Sequence, residues 1–367
     1  MVSAFSVASV PPPRHAAPPR SSERSLRYLA FFILAVLLTG LGSARASAPH
    51  KAPAAPQAKA SIRLTSQVSP RVVTPRPTAS KAPVAKPAPK RVIKKRAVRK
   101  PAKQVTRWLP SGTGMWLHEF DRSQGGNGRA VVARAKAVGL THLFVQTGSS
   151  KMGPIGSPAL RQVLPATKGT GIRVIAWDFA NLRNPERDAR RLAMAARFRC
   201  GGCPRIAAVA PDIETAAEGT KINGSNVIRY YDELRHWLPA DVSILATVPW
   251  PSEVRRGHYP YASTARRADA ILPMAYWYNR SPAAVTAQSM AYFKKFHKPV
   301  MPVGQGYDSR LDAPYLAPDP HPYLSVRSFL LTAKEWGARA VSLWSWQTTG
   351  PHQWQALSRA NKLYASG

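Results

Sequence analysis

Two carboxylates one residue apart, Asp212 and Glu214, end the apolar run Ile206-Ala-Ala-Val-Ala-Pro-Asp-Ile-Glu. In a β-strand alternate side chains share a face, so both acids point one way and Ile213 the other. At about 6.5–7 Å apart by the rise of a strand, each disfavours ionisation of the other, which raises one pKa. A carboxyl kept protonated near neutral pH is a general acid and can protonate a glycosidic oxygen. Glu214 has the longer reach and stands nearer the strand's end, so it is assigned the acid. Asp212 is its partner, which orients and polarises it or stabilises a positive intermediate. Plainer readings stand beside this one: Asp212 caps the following loop, and Glu214 pairs with one of the many Arg residues. A metal site is a further alternative, but the nine His residues are scattered and no H-x-x-x-H occurs. No metal and no cofactor is expected.

Such a pair needs a scaffold that holds it at an open end. Eight short apolar runs follow one another: Met115–Phe120, Thr141–Gln146, Arg173–Asp178, Ile206–Ile213, Val242–Val248, Ala270–Tyr276, Val300–Gly304 and Ala340–Trp346. Helical stretches lie between them, at Gly128–Val138, Pro185–Arg199, Asn226–Leu238, Pro282–Phe296 and Leu324–Trp336. The alternation predicts a parallel sheet with helices outside it. Near-continuous apolar strands are buried on both faces. Eight units in about 255 residues predict one (β/α)8 TIM barrel, an α/β fold, over residues 111–367. In that fold chemistry sits at the carboxyl ends of the strands. Those ends supply Glu119, Gln146, Trp177, Asp178, Trp250, Tyr276, Trp277, Gln305, Trp344 and Trp346. Flat aromatic faces stack on the C–H faces of sugar rings, so these positions are read as substrate-binding. Asp178 or Glu119 is a candidate second catalytic carboxylate. A separation of about 5–5.5 Å from Glu214 would suit retention and about 6.5–9.5 Å inversion. Gly-rich phosphate loops and a G-x-S-x-G nucleophile elbow are absent, which argues against phosphoryl and acyl transfer.

The rest of the chain is of another kind. The formal net charge is +35, and more than half of it falls before Pro110, where Glu23 is the sole acid. Arg24 and Arg27 precede the apolar run from Tyr28, and Ala44-Arg45-Ala46 follows it. These are the parts of a secretory signal. The run of about fifteen apolar residues is short for a membrane span, so residues 1–46 are read as a cleaved signal peptide, with an uncleaved signal anchor, a transmembrane segment, as the alternative. Residues 47–110, rich in Pro, Ala, Lys and Arg, are read as a disordered, extended basic linker. An anionic wall polymer or lipid is its expected partner; export makes nucleic acid an unexpected one. The localisation that follows is secreted or cell-envelope associated. The pair Cys200 and Cys203, the chain's two Cys, is read as a structural disulfide before the fourth strand, at the closed end of the barrel.

The ends of three strands resemble family 18 chitinases and, more loosely, family 25 lysozymes. They are Asp212-Ile-Glu214, Met274-Ala-Tyr276 and Trp344-Ser-Trp346. The resemblance implies that Glu214 is the acid and that Asp212 assists attack by a substrate N-acetyl group. It implies that Tyr276 is the strand-six catalytic tyrosine and that Trp344 or Trp346 floors the pocket. The family pattern D-x-x-D-x-D-x-E has Ala207 and Ala210 at its first two Asp positions here, and Trp277 replaces the Asp after the strand-six Tyr. The expectation is an exported glycoside hydrolase acting on a cell-wall or extracellular polysaccharide. A non-catalytic polysaccharide-binding barrel and a structural envelope protein are the alternatives. The sequence gives no oligomeric state.

Overall fold

Residues 106–364 are described from a computed structural model. The expected signal or anchor (1–46) and nearly all of the expected linker lie outside the described residues. Among the described residues no helix is long and apolar enough to cross a membrane.

Eight strands form the wall of a closed barrel: β1 (Gly112–Leu117), β2 (His142–Ser149), β3 (Arg173–Phe179), β4 (Ala208–Asp212), β5 (Ser243–Pro249), β6 (Ala270–Ala275), β7 (Val303–Gln305) and β8 (Ala340–Trp344). Each runs parallel to the next, and β8 pairs with β1, Gly112 opposite Ala340, to close the ring. A two-residue strand, Gly153–Pro154, adds an antiparallel flap to β2. The helices outside are α1 (Gly128–Val138), α2 (Ser157–Ala166), α3 (Pro185–Ala196), α4 (Gly224–Trp237), α5 (Glu253–His258), α6 (Tyr261–Arg267), α7 (Pro282–Lys294), α8 (Pro322–Glu335) and α9 (Pro351–Tyr364).

Strand alternation divides the apolar residues into two cores. Trp116, Phe144, Ile175, Trp177, Ala208 and Ala210 belong to the one inside the barrel. Val174, Ala176, Val209 and Ile213 belong to the one between strands and helices. Side-chain caps fix where the chain turns from strand end into helix. Asn127, Asn184, Asn223 and Ser281 each accept a backbone N–H of the following first turn. Each cap satisfies a donor that the helix cannot. They therefore set the length of the loops around the open end.

Three regions depart from the sequence reading. Helices α2, α5, α6 and α9 were not expected. Pro158, Pro165, Gly257 and Pro260 punctuate the first three, yet buried Leu160, Val163 and Leu164 hold α2 against the sheet. The strand expected at Met115–Phe120 lies at Gly112–Leu117, so His118 and Glu119 stand beyond its end. The last residues assigned to the linker belong to the barrel instead. Arg107 donates to the Ala240 carbonyl at 2.9 Å and pairs with Asp269 at 3.3 Å. Ser243 donates to the Trp108 carbonyl, and Trp108 and Leu109 pack on the inner core. The chain thus closes the amino end of the barrel with an aromatic plug. The Cys200–Cys203 disulfide is present on the loop before β4, at that same closed end.

Candidate active site

Asp212 is the last residue of β4 and Glu214 lies two residues on. Ala208 and Ala210 pack in the inner core while Val209 and Ile213 pack outside, so by alternation both acids face the barrel interior at its mouth. Both are buried, at 4% and 7% exposure. The backbone between and beyond them is pinned. Tyr259 Oη donates to the Ile213 carbonyl at 2.8 Å. Thr215 and Glu218 close a reciprocal capping box, with the Thr215 N–H at 3.0 Å from Glu218. That box, not Asp212, caps the loop. Glu214 makes no ion pair or hydrogen bond among the described residues, so neither plainer reading of the pair describes this site.

Burial pushes the Asp212 carboxyl up to about 7, aided by the charges of Glu218 and Asp178. Burial also lifts Glu214 well above the ordinary carboxylate range; Asp212, Glu218 and Asp312 push in the same direction, and Arg255 pulls back. One carboxyl of the pair is therefore held as an acid near neutral pH. The Tyr276 phenol sits by the inner core with its pKa raised, first by burial and then by Asp212 and Glu214.

An aromatic floor lines the barrel interior beside β4, with Trp177 on the neighbouring strand opposite Ala210. Trp177 and Trp344 meet edge to face with ring centres 5.3 Å apart, Trp116 packs under both, and His118 lies 5.2 Å from Trp344. Trp177 Nε1 donates to the Leu117 carbonyl at 3.1 Å and Trp116 Nε1 to Ser342 Oγ at 2.9 Å, so the indoles are fixed in place. Gln146, two residues after inward Phe144, faces the same interior.

Several residues expected at the mouth are elsewhere, some because strand alternation turns them outward and others because they lie beyond the strand ends. Asp178, between inward Trp177 and Phe179, points outward. It is fully buried against α3, where Arg191 grips it at 2.5 and 2.7 Å and also holds Asp188 at 2.8 Å. It is no second catalytic carboxylate. Glu119 pairs with Arg122 at 2.7 Å on the surface. Trp277 packs on Phe329 and Trp346 on Trp354, both in the outer core. Trp344 alone of the Trp344/Trp346 pair reaches the interior. Trp250 borders the outer core, and Arg280 covers its ring at 4.1 Å. Gln305 does face the mouth but all its amide bonds are internal: it accepts from Tyr278 N at 2.8 Å and donates to the Tyr307 carbonyl and Ser309 Oγ. Its work is to tie the loops after β6 and β7 together.

Those loops also bring one residue that the sequence did not single out, Asp312. Asp312 accepts hydrogen bonds from Tyr307 Oη at 2.5 Å and Tyr278 Oη at 3.3 Å. Its position in a loop, well past the end of β7, gave no periodic signal. A separate cavity of about 590 Å³, lined by Gly125, Gly126, Arg129 and Arg161, lies beside α1 and α2 and contains none of these carboxyls.

No family model matches the sequence, and no curated protein does. Solved structures do match its fold. A chitinase from Chromobacterium violaceum aligns at a TM-score of 0.51 and 14% identity, over 68% of this chain and 99% of its own. Active domain 2 of the thermostable chitinase from Pyrococcus furiosus aligns at 0.50 and 14%, over 71% and 97%. A chitinase from Bacteroides thetaiotaomicron aligns at 0.50 and 9%, over 70% and 98%. At such identities the likeness is one of fold: this chain and those chitinases share a TIM barrel.

Proposed function

We propose that the protein is an exported glycoside hydrolase acting on a cell-wall or other extracellular polysaccharide. The observation that carries this reading is the buried, inward pair Asp212 and Glu214 facing the Trp177–Trp344 floor. Glu214 donates its proton to the glycosidic oxygen as the bond breaks. Asp212, as a carboxylate, then stabilises the positive charge that develops on the sugar, with Tyr276 beside both. Water adds to the anomeric carbon and its proton returns to Glu214. The indoles hold the sugar ring from below. The chitinases of like fold support a glycan as the substrate. The basic segment 47–106 is proposed to hold the exported barrel to an anionic wall polymer or lipid, and deleting it tests that attachment.

The test of the chemistry is Glu214→Gln. Reducing-sugar release from wall material is expected to fall by about 10²–10⁴-fold, the usual contribution of a general acid. Equal rates for variant and wild type would remove Glu214 from the mechanism. A second reading, a glycan-binding barrel without turnover, draws on Ala207 and Ala210 at positions where the resembled family carries Asp. Binding to insoluble glycans without product from any of them would favour it.

A further inference from the structure

The chain has 18 acidic residues against 53 basic ones, yet three carboxyls share its mouth. Asp212 and Glu214 come from the end of β4. Asp312 comes from the loop after β7. Tyr276, at the end of β6, packs edge to face on Tyr307 with ring centres 5.8 Å apart, and Tyr307 holds Asp312. The fields of all three carboxyls act on the Tyr276 phenol. Both hydrogen bonds to Asp312 arrive at Oδ2, and Oδ1 accepts none among the described residues. Asp212 Oδ1 is buried with no hydrogen-bond partner. So is Thr247 Oγ1, whose residue stands opposite Asp212 in the β4–β5 register. Buried polar atoms are ordinarily paired, and what Asp212 Oδ1 lacks is a donor, while Oδ1 of half-buried Asp312 keeps an unused acceptor position.

Resting on the reading of this mouth as a glycan site, we propose that its substrate class is a saccharide bearing a free, protonated amine, that is, a de-N-acetylated amino sugar whose ammonium donates to Asp212 and Asp312. An ammonium offers three N–H donors and a positive charge. An N-acetyl group offers one N–H and turns a carbonyl oxygen toward three carboxyls. The half-buried indole of Trp344, backed by buried Trp177, attracts a cation as well. A bare metal ion fits less well, because no three His, Cys, Asp or Glu groups of the described residues come together at ligand spacing. Among the described residues the cation whose field acts on Glu214 is Arg255, and it makes no ion pair with any of the three acids. Burial holds all three carboxyls above their ordinary values, and a bound ammonium would draw them back down.

The test uses the full chain carrying Glu214→Gln, so that ligand is bound but not consumed. It is titrated by calorimetry in mildly acidic buffer with matched glucosamine and galactosamine oligosaccharides, each as the free amine and as the N-acetylated form. The free-amine form is expected to bind about tenfold tighter or more, the scale of one charge-assisted hydrogen bond. Adding Asp312→Asn should bring the two forms close to parity. Adding Tyr307→Phe instead, which removes a hydrogen bond to Asp312 but keeps its charge, should preserve the preference. The net charge of +35 repels polyamines, so general attraction cannot produce this result. Equal or tighter binding of the N-acetylated forms, a preference untouched by Asp312→Asn, or no binding of either form would overturn the proposal. Turnover by the wild type separates this from the hydrolase reading. Cleavage without an amine preference keeps the hydrolase and rejects the amine, and amine-selective binding without cleavage does the reverse.

Discussion

Replacing Asp212 with Asn removes a titrating carboxyl from the barrel mouth and should change how stability depends on pH. In the folded protein burial raises this carboxyl from its ordinary 3.8 to about 7. Between those values the folded state keeps a proton that the unfolded chain has released. Stability is therefore full below about pH 4, falls as pH rises through the window, and levels off above about 7. A gap of about three pH units at about 1.4 kcal/mol each amounts to about 4 kcal/mol, an upper bound since partial opening to water relieves it. Asn does not titrate, so the variant's stability relative to wild type should climb by up to about 4 kcal/mol from about pH 4 to about pH 8. Glu214 contributes in the same direction, because it loses the repulsion of Asp212. The amide donors of Asn add an offset that does not vary with pH, so the slope is the quantity to read. Urea unfolding followed by Trp fluorescence, at fixed ionic strength with the Cys200–Cys203 disulfide intact, measures it. A difference that stays flat within about 1 kcal/mol across that range would refute the burial argument for Asp212.

Four further outcomes follow from the same geometry. Asp178→Ala leaves Arg191 buried without its main partner and should cost about 3–5 kcal/mol of stability, read by urea unfolding, while glycan binding by the folded fraction is unchanged. Trp346→Ala should cost about 3–5 kcal/mol by emptying a site in the outer core and spare binding, whereas Trp344→Ala should weaken binding, as read by titration with oligosaccharide. Activity requires protonated Glu214, so it should decline as pH rises through that group's raised pKa. Arg255→Ala removes a charge that lowers this pKa, so the alkaline limb of the pH–rate profile should move to higher pH. Trp108→Ala should destabilise the barrel by about 3–5 kcal/mol without changing the ratio of binding to turnover, because its indole plugs the end away from Glu214.

The barrel was legible in the sequence because its strands are buried on both faces and its helices carry caps, signals that sit within a few residues of one another. The direction of Asp212 and Glu214 was legible for the same reason: Ala208, Ala210 and Ile213 mark the two faces of one strand. The same parity, applied to the other strands, separates Tyr276 from Trp277 and Trp177 from Asp178. Asp178 and Trp277 miss the mouth by that parity; Trp346 shares the parity of Trp344 and misses it because β8 ends at Trp344. Parity did not suffice for Trp250 and Gln305, whose sites are occupied by Arg280 and by the Tyr278 and Tyr307 loops. Nor could it reach Asp312, which meets Tyr278 across 34 residues of chain. By itself the sequence determined the closed ring of strands and helices and the inward carboxylate pair, because period-two alternation is a property of neighbouring residues. Only the tertiary structure decided which side chains share the mouth with that pair, because closing the barrel is what brings distant loops together and takes the water from around their charges.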